Sequence, residues 1–247
     1  IEVFMTNDDY SIINKENVLL DVTDGIATVT LNRPKKFNAL SSSLMTCFLN
    51  ILNQIENEKS IRVVILAGAG KAFCAGHDLA ELAEIKQDEE VEVLFQQCSQ
   101  MMLAITRLSQ PVIARVHGLA TAAGCQLVAA CDLAVASSQA QFATSGINIG
   151  LFCATPAVAL TRNVPRKKAM EMLLTGDFID AGSALQFGLV NYAVECKKLD
   201  ETIGNLSRKI AMQSPIAIAK GKNLFYKQIE GGLESAYECA INTIVDN

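Results

Sequence analysis

The chain of 247 residues is half hydrophobic and 19% charged, which places it among globular proteins and excludes disordered or fibrous classes. Its net charge of −5 argues against a nucleic-acid backbone as principal ligand, because such binding needs clustered lysine and arginine. No apolar run reaches roughly 18 residues, so no membrane-spanning helix is expected.

The first stretch, "IEVFMTNDDYSIINKEN", is acidic and has neither a signal-like nor an Arg-rich transit pattern. Residues 18–31, "VLLDVTDGIATVTL", are two β-rich runs around Asp24-Gly25 and predict a hairpin. A loop, "NRPKKFNALSSS", follows. Leu44, Phe48, Ile51, Leu52 and Ile55 then recur at helical spacing, predicting an amphipathic helix over 41–57. "IRVVILAG" (61–68) reads as a buried strand, "AGKAFCAGHD" as a loop, and helices are expected over 79–86 and 89–108. Pro111 opens the strand "VIARVHG".

The stretch "GLATAAGCQLVAACDLAVASS" (118–138) reads as a turn, a helix over about 121–131 and a strand over 132–137, with one more strand in "AQFATSG". A last strand is expected in 187–194, after which the chain is helical. Strand, strand, helix has appeared twice, which predicts an α/β core (1–195) followed by a helical region (196–247). The eight cysteines form no CxxC pair and have no His-rich partner spacing, so they read as reduced core thiols of a reducing compartment, and no metal site is expected.

Two loop-to-helix junctions share one composition: "FCAGHDL" (73–79) and "LATAAGCQL" (119–127). Small residues let a ligand approach the backbone, and the first N–H groups of a helix have no intrahelical acceptor. If the junctions lie side by side, one amide from each can hold a carbonyl oxygen that gains negative charge, worth about 3–4 kcal/mol per donor. Composition alone favours the alternative of tight strand-to-helix packing. Asp78 reads as the cap of the helix beginning at Leu79. His117 reads as a satisfied core histidine and Asp132 as structural. Cys125 and Cys153 have no nearby sequence feature that would lower a thiol pKa.

The motifs "LNRPKKFNAL", "AFCAGHDL", "GLATAAGCQLVAACDLAVAS", "AQFATSGINIG" and "LLTGDFIDAGSALQFGLV" resemble, in order and spacing, those of the crotonase (enoyl-CoA hydratase/isomerase) family. The resemblance extends from about 18 to 230. It implies a repeated ββα spiral core, a helical C-terminal trimerisation region and a site for an acyl-CoA thioester. Coenzyme A would enter as part of the substrate, with no prosthetic group. The family's two oxyanion-holding amides fall on His77 and Ala123. Its CoA-contacting segments fall on Lys35, Lys36 and Phe37 and on Ala75, Gly76, His77, Asp78 and Leu79. A homotrimer or hexamer is implied, with a further helix after "INTIVDN", in a bacterial cytoplasm or a mitochondrial matrix.

The departures from the family pattern are chemical. Its hydratases use two glutamates, whose positions are Gln126 and Gly146 here. Glutamine is no carboxylate base and glycine has no side chain, so ordinary hydration is expected to be lost or very slow. Thr144, Ser145 and Asn148 are poor bases for an isomerase. His77 has the only imidazole in the motif region, with an ordinary pKa suited to proton transfer near neutrality. The expectation is thus an acyl-CoA protein with doubtful hydratase activity. The alternatives are decarboxylation of a malonyl-type thioester, which needs no base, and acyl-CoA binding without chemistry. One branch of the family binds RNA through a lysine-lined helix. The corresponding segment here, 41–59, has only Lys59 at its end, so no nucleic-acid partner is expected.

Overall fold

A computed structural model describes residues 17–246. β1 (Val18–Thr23) and β2 (Ile26–Leu31) form the antiparallel hairpin, with Asp24 and Gly25 both at positive φ (52° and 73°), as a tight two-residue turn demands. β2 buries Ala27, Val29 and Leu31 on one face. Against the same core lies α1 (Ser42–Asn57), which is capped by Ser41 Oγ accepting from Leu44 N and buries Leu44, Met45, Phe48, Ile51, Leu52 and Ile55.

From β2 the chain spirals between two sheets. The six-stranded sheet has the order β1-β2-β3-β5-β7-β10, with β3 at Val63–Gly68, β5 at Val112–Val116, β7 at Leu133–Ser137 and β10 at Tyr192–Val194. The four-stranded sheet has the order β4-β6-β8-β9, with β4 at Ala72–Cys74, β6 at Leu119–Thr121, β8 at Gln141–Ala143 and β9 at Ile179–Asp180. Each of β3, β5 and β7 hands the chain to a short strand of the second sheet. Apart from β1–β2 and β8–β9, neighbours pair in parallel. The helices that return the chain to the six-stranded sheet are α2 (Leu79–Glu84) with α3 (Asp88–Arg107), and α4 (Ala123–Ala130). This is the ββα spiral expected from the sequence. The stretch read as a loop, 69–78, in fact contains β4, β6 (Leu119–Thr121) lies where a turn and the start of a helix were expected, and β9 was not foreseen. The last strand covers 192–194 rather than 187–194.

The remaining helices are α5 (Ala154–Asn163), α6 (Arg166–Thr175), α7 (Ala181–Gln186), α8 (Leu199–Ala211), α9 (Pro215–Gln228) and α10 (Leu233–Val245). α8 covers the outer face of the six-stranded sheet, where Leu199 and Ile203 meet Val63, Ile113 and Val135. α9 and α10 contribute no buried residue. What ties α9 to the body is polar. Asp132, between α4 and β7, accepts from Val112 N (2.6 Å), Lys222 Nζ (2.7 Å) and Tyr226 Oη (2.9 Å). Lys222 Nζ also donates to the carbonyls of Ile105 and Gln110. Asp132 is therefore structural, as expected, with a specific task.

Among the described residues, no helix is long and apolar enough to cross a membrane. Among the described residues, no group of three or more His, Cys, Asp or Glu side chains is placed to hold a metal ion.

Candidate functional site

β4 and β6 are parallel neighbours, with Ala72 opposite Leu119 and Cys74 opposite Ala120, so the segments leaving their carboxyl ends emerge side by side. The contact between them is close. A methyl group built on Gly76 would lie 2.9 Å from Ala122 Cβ, 3.2 Å from Thr121 O and 3.3 Å from Ala123 N, and Gly76 has φ +94°. One built on Gly124 would lie 2.0 Å from Cys74 O. Only glycine allows this approach at either position. Ala122, which caps α4, is held at φ 51° and ψ −121° with its N–H donating to Ala143 O (2.9 Å). An alanine in that region is strained by about 1–3 kcal/mol, the kind of cost found at binding and catalytic sites. The backbone N–H groups of His77 and Ala123 donate to no acceptor among the described residues. The two junctions that composition singled out are thus one place.

Segment 37–40 runs beside 75–78. Ala75 N donates to Phe37 O (3.0 Å), Leu40 N to Gly76 O (2.7 Å) and Asp78 N to Leu40 O (3.0 Å). Lys35 and Lys36 lie exposed on a 3₁₀ turn, and Phe37 and Leu79 are also exposed. Asp78 caps α2 through Ala80 N (3.2 Å), as expected, and pairs with Arg33 at 2.8 Å. Hydrogen bonding from the Arg33 guanidinium holds the Asp78 carboxyl below the usual carboxylate range. Sequence reasoning missed Arg33. It also missed Asn38, a buried side chain whose amide donates to the carbonyls of Ala69 and Ala72 (2.8 Å each) and Phe73 (3.2 Å). Its signal was an asparagine inside an otherwise lysine-rich turn.

The His77 ring packs on Phe95 of α3, with centroids 4.7 Å apart and planes at 49°, and its Nε2 is buried without a partner. Burial pushes its pKa down to about 4, although Glu81 pulls the other way. The expectation of an imidazole poised near neutrality is therefore corrected: His77 is neutral at pH 7. Its pKa in the folded protein lies below that of the unfolded chain, so the unfolded state binds the extra proton. Stability is then unaffected above about pH 6.5 and falls as pH drops from there toward 4. Urea titrations across that window are expected to show His77→Phe losing roughly 2–4 kcal/mol less than the parent protein.

Gln126 is 4% exposed, and its Oε1 has no hydrogen-bond partner. Gly146 is the second residue of a 3₁₀ turn (Ser145–Ile149) and its Cβ direction is filled, since a methyl there would lie 2.5 Å from Leu151 O and 2.8 Å from Cys153 Sγ. The neighbouring polar side chains are engaged elsewhere: Thr144 Oγ1 donates to Met172 O (2.8 Å), Ser145 Oγ meets Thr121 Oγ1 (2.6 Å), and Asn148 Nδ2 donates to Gly176 O (3.3 Å). Burial pushes the Cys125 thiol up to about 12 and raises that of Cys153, so neither is a ready thiolate. His117 stands just past β5. One of its ring nitrogens meets Gly70 O at 2.9 Å and the other is buried without a partner, so the expectation of a satisfied core histidine holds for half the ring.

Comparison with known proteins gives one consistent answer. The family model for enoyl-CoA hydratase/isomerase matches residues 21–245. The mitochondrial enoyl-CoA hydratase domain-containing protein 3 of Rattus norvegicus is 46% identical over 225 residues, 91% of this chain and 75% of that protein. A short-chain-enoyl-CoA hydratase of Clostridium acetobutylicum is 33% identical over 89% of this chain and 85% of its own length. Among solved structures, an enoyl-CoA hydratase of Mycobacterium smegmatis superposes with a TM-score of 0.93 at 52% identity, covering 94% of this chain and 91% of that one. The human enoyl-CoA hydratase domain-containing protein 3 superposes at 0.91 with 43% identity, again covering 94% and 91%.

Proposed function

The chain belongs to the enoyl-CoA hydratase/isomerase family, and on that premise we propose that it binds an acyl-CoA thioester with the carbonyl oxygen between the backbone N–H groups of His77 and Ala123. One observation carries the reading: Gly76 lies against Ala122 and Ala123, and both neighbouring N–H groups lack acceptors. Two such donors fixed before substrate arrives stabilise negative charge on the oxygen as an enolate forms. Lys35 and Lys36, exposed beside this notch, would face the diphosphate of coenzyme A, with Phe37 and the segment Ala75–Leu79 along the rest of the cofactor arm. The free thiols among the described residues and the mitochondrial and bacterial relatives support a reducing compartment, a bacterial cytoplasm or a mitochondrial matrix. By resemblance the assembly is a homotrimer or hexamer.

Hydration of an enoyl thioester needs a group that takes a proton from water and returns one to the α carbon. Gln126 can do neither, and the side-chain direction of Gly146 is filled by Leu151 and Cys153. The chemistry that suits this site is one in which the enolate arises without a base. A second reading follows from the same deficit, the decarboxylation of a malonyl-type thioester. There the bond to the carboxyl carbon breaks, its electron pair moves into the thioester as an enolate, CO2 departs, and a proton from solvent completes the acyl product.

The test is an assay of the purified protein with crotonyl-CoA, malonyl-CoA and methylmalonyl-CoA, beside calorimetry with the same ligands. Binding is expected with hydration of crotonyl-CoA at least ~1000-fold below a two-glutamate hydratase. Crotonyl-CoA turnover at hydratase rates would overturn the roles given to Gln126 and Gly146. Turnover of neither class, with tight binding, would make the protein a carrier or sensor of acyl-CoA.

A further inference from the structure

The direction of the His77 N–H is set from a neighbouring segment. Leu40 N donates to Gly76 O (2.7 Å) and Asp78 N donates to Leu40 O (3.0 Å), which makes Leu40 and His77 an isolated parallel bridge. In a trans peptide the C=O of one residue and the N–H of the next point in opposite directions. Tying Gly76 O to Leu40 therefore turns the His77 N–H away from segment 37–40. Only one further backbone bond among the described residues, from Ala75 N to Phe37 O, joins that segment to 75–78. A side chain closes over the bridge. Arg33 Nη1 donates to Ala39 O (2.6 Å) and Nη2 to Asp78 Oδ2 (2.8 Å), and the two charged side chains are only 20% and 12% exposed. Ala39 precedes Leu40 and Asp78 follows His77, so one planar guanidinium holds both segments at the bridge, which a single ammonium point cannot do as rigidly. The turn carrying Lys35 and Lys36 is held by other bonds. Lys36 N (2.9 Å) and Asn38 N (3.0 Å) donate to Arg33 O, and Arg33 N donates to Asn38 Oδ1 (2.9 Å). These use only the backbone of Arg33 and survive a change of its side chain.

We propose that Arg33 is a positioning residue: its guanidinium, joining Ala39 to Asp78, sets the peptide between Gly76 and His77 so that the His77 N–H meets the thioester oxygen. The inference rests on the acyl-CoA reading above. It separates two tasks within one residue, because the backbone of Arg33 shapes the lysine turn proposed to receive coenzyme A while its side chain orients the donor. A hydrogen-bond donor stabilises developing charge to the extent that it is fixed before the charge appears, and a supporting shell loose by about 1 Å forfeits much of that effect. The Arg33–Asp78 pair is mostly buried and charge-assisted, which suits it to hold such a position.

The test is difference infrared spectroscopy of butyryl-CoA isotope-labelled at the thioester carbonyl, beside calorimetry with butyryl-CoA and free coenzyme A, on the full chain and on Arg33→Met and Arg33→Lys. In the parent protein the carbonyl stretch is expected to move to lower frequency on binding, as hydrogen bonding to the oxygen requires. In Arg33→Met most of that shift is expected to vanish, and affinity for butyryl-CoA relative to free coenzyme A to fall on the order of tenfold. Arg33→Lys, which keeps the charge but reaches one of the two partners, is expected to retain part of the shift. A pair that only stabilised the fold would lower the urea midpoint and both affinities together while the bound carbonyl stayed at its parent frequency, and that result overturns the positioning role. If Arg33→Met does not fold, Arg33→Lys decides alone, and a full parental shift in it overturns the proposal. Binding by the parent protein with no carbonyl shift, or no binding of the thioester, overturns the oxyanion reading and this inference with it.

Discussion

Gly124→Ala is expected to cost about 2–3 kcal/mol of stability and to abolish acyl-CoA binding, although alanine is the better helix former by about 1 kcal/mol. The added methyl would sit 2.0 Å from Cys74 O and 2.7 Å from its carbonyl carbon. That is more than an ångström inside an ordinary contact, and the obstacle is backbone. Cys74 is the last residue of β4 and pairs with Ala120 of β6, so it retreats only by breaking the parallel ladder. α4 must shift instead, and with it the Ala123 N–H. Overpacking therefore outweighs propensity. Urea unfolding and calorimetry with an acyl-CoA check the two effects together. Gly221 on α9, which an added methyl would leave with nothing within 4 Å, is the control: there alanine is expected to stabilise by up to about 1 kcal/mol. Retention of stability and binding in Gly124→Ala would show that the junctions are not held as described.

Asp132→Ala is expected to be the costliest side-chain truncation outside the apolar core, at about 3–5 kcal/mol. It strands Lys222, whose side chain is only 7% exposed, and removes the acceptor of Val112 N and Tyr226 Oη together. Lys222→Met should cost less, because Asp132 keeps those two donors and the methionine fills the space. Burial already lowers the Lys222 pKa and Asp132 opposes that shift. Without the carboxylate the lysine pKa falls further below its unfolded value. The folded state is then penalised wherever lysine is protonated in the unfolded chain, so the deficit of Asp132→Ala is largest near neutrality and shrinks as pH rises toward 10. Urea midpoints at pH 7 and 9.5 measure this. Because α9 and α10 bury no residues of their own, limited proteolysis should cut first after residue 212 in the variant.

Elements with a long repeating pattern were legible in the sequence. α1 presents six buried apolar residues on one stripe, and the Asp24-Gly25 turn names its own conformation. β4, β6 and β9 have three, three and two residues and no room for alternation to show. They are strands because neighbours distant in the chain pair with them, Ala72 with Leu119 and Phe142 with Ile179. Local chemistry could not supply those partners.

The same division runs through the site. Small residues at 73–79 and 119–127 marked two junctions by composition, but it was the order and spacing of five motifs that resembled an acyl-CoA family, and the absence of a carboxylate at 126 and 146 then questioned its usual chemistry. That the two junctions touch depends on parallel pairing between segments about 45 residues apart. The low pKa of His77 depends on burial that brings Phe95 of another helix onto its ring, and the Arg33–Asp78 pair closes over a similar separation. Backbone periodicity and residue chemistry are local and can be read in order along the chain. Desolvation, close approach and unpartnered polar atoms arise only where distant segments exclude water together, and here they turn an apparent base into a neutral ring and leave a buried glutamine oxygen without a partner.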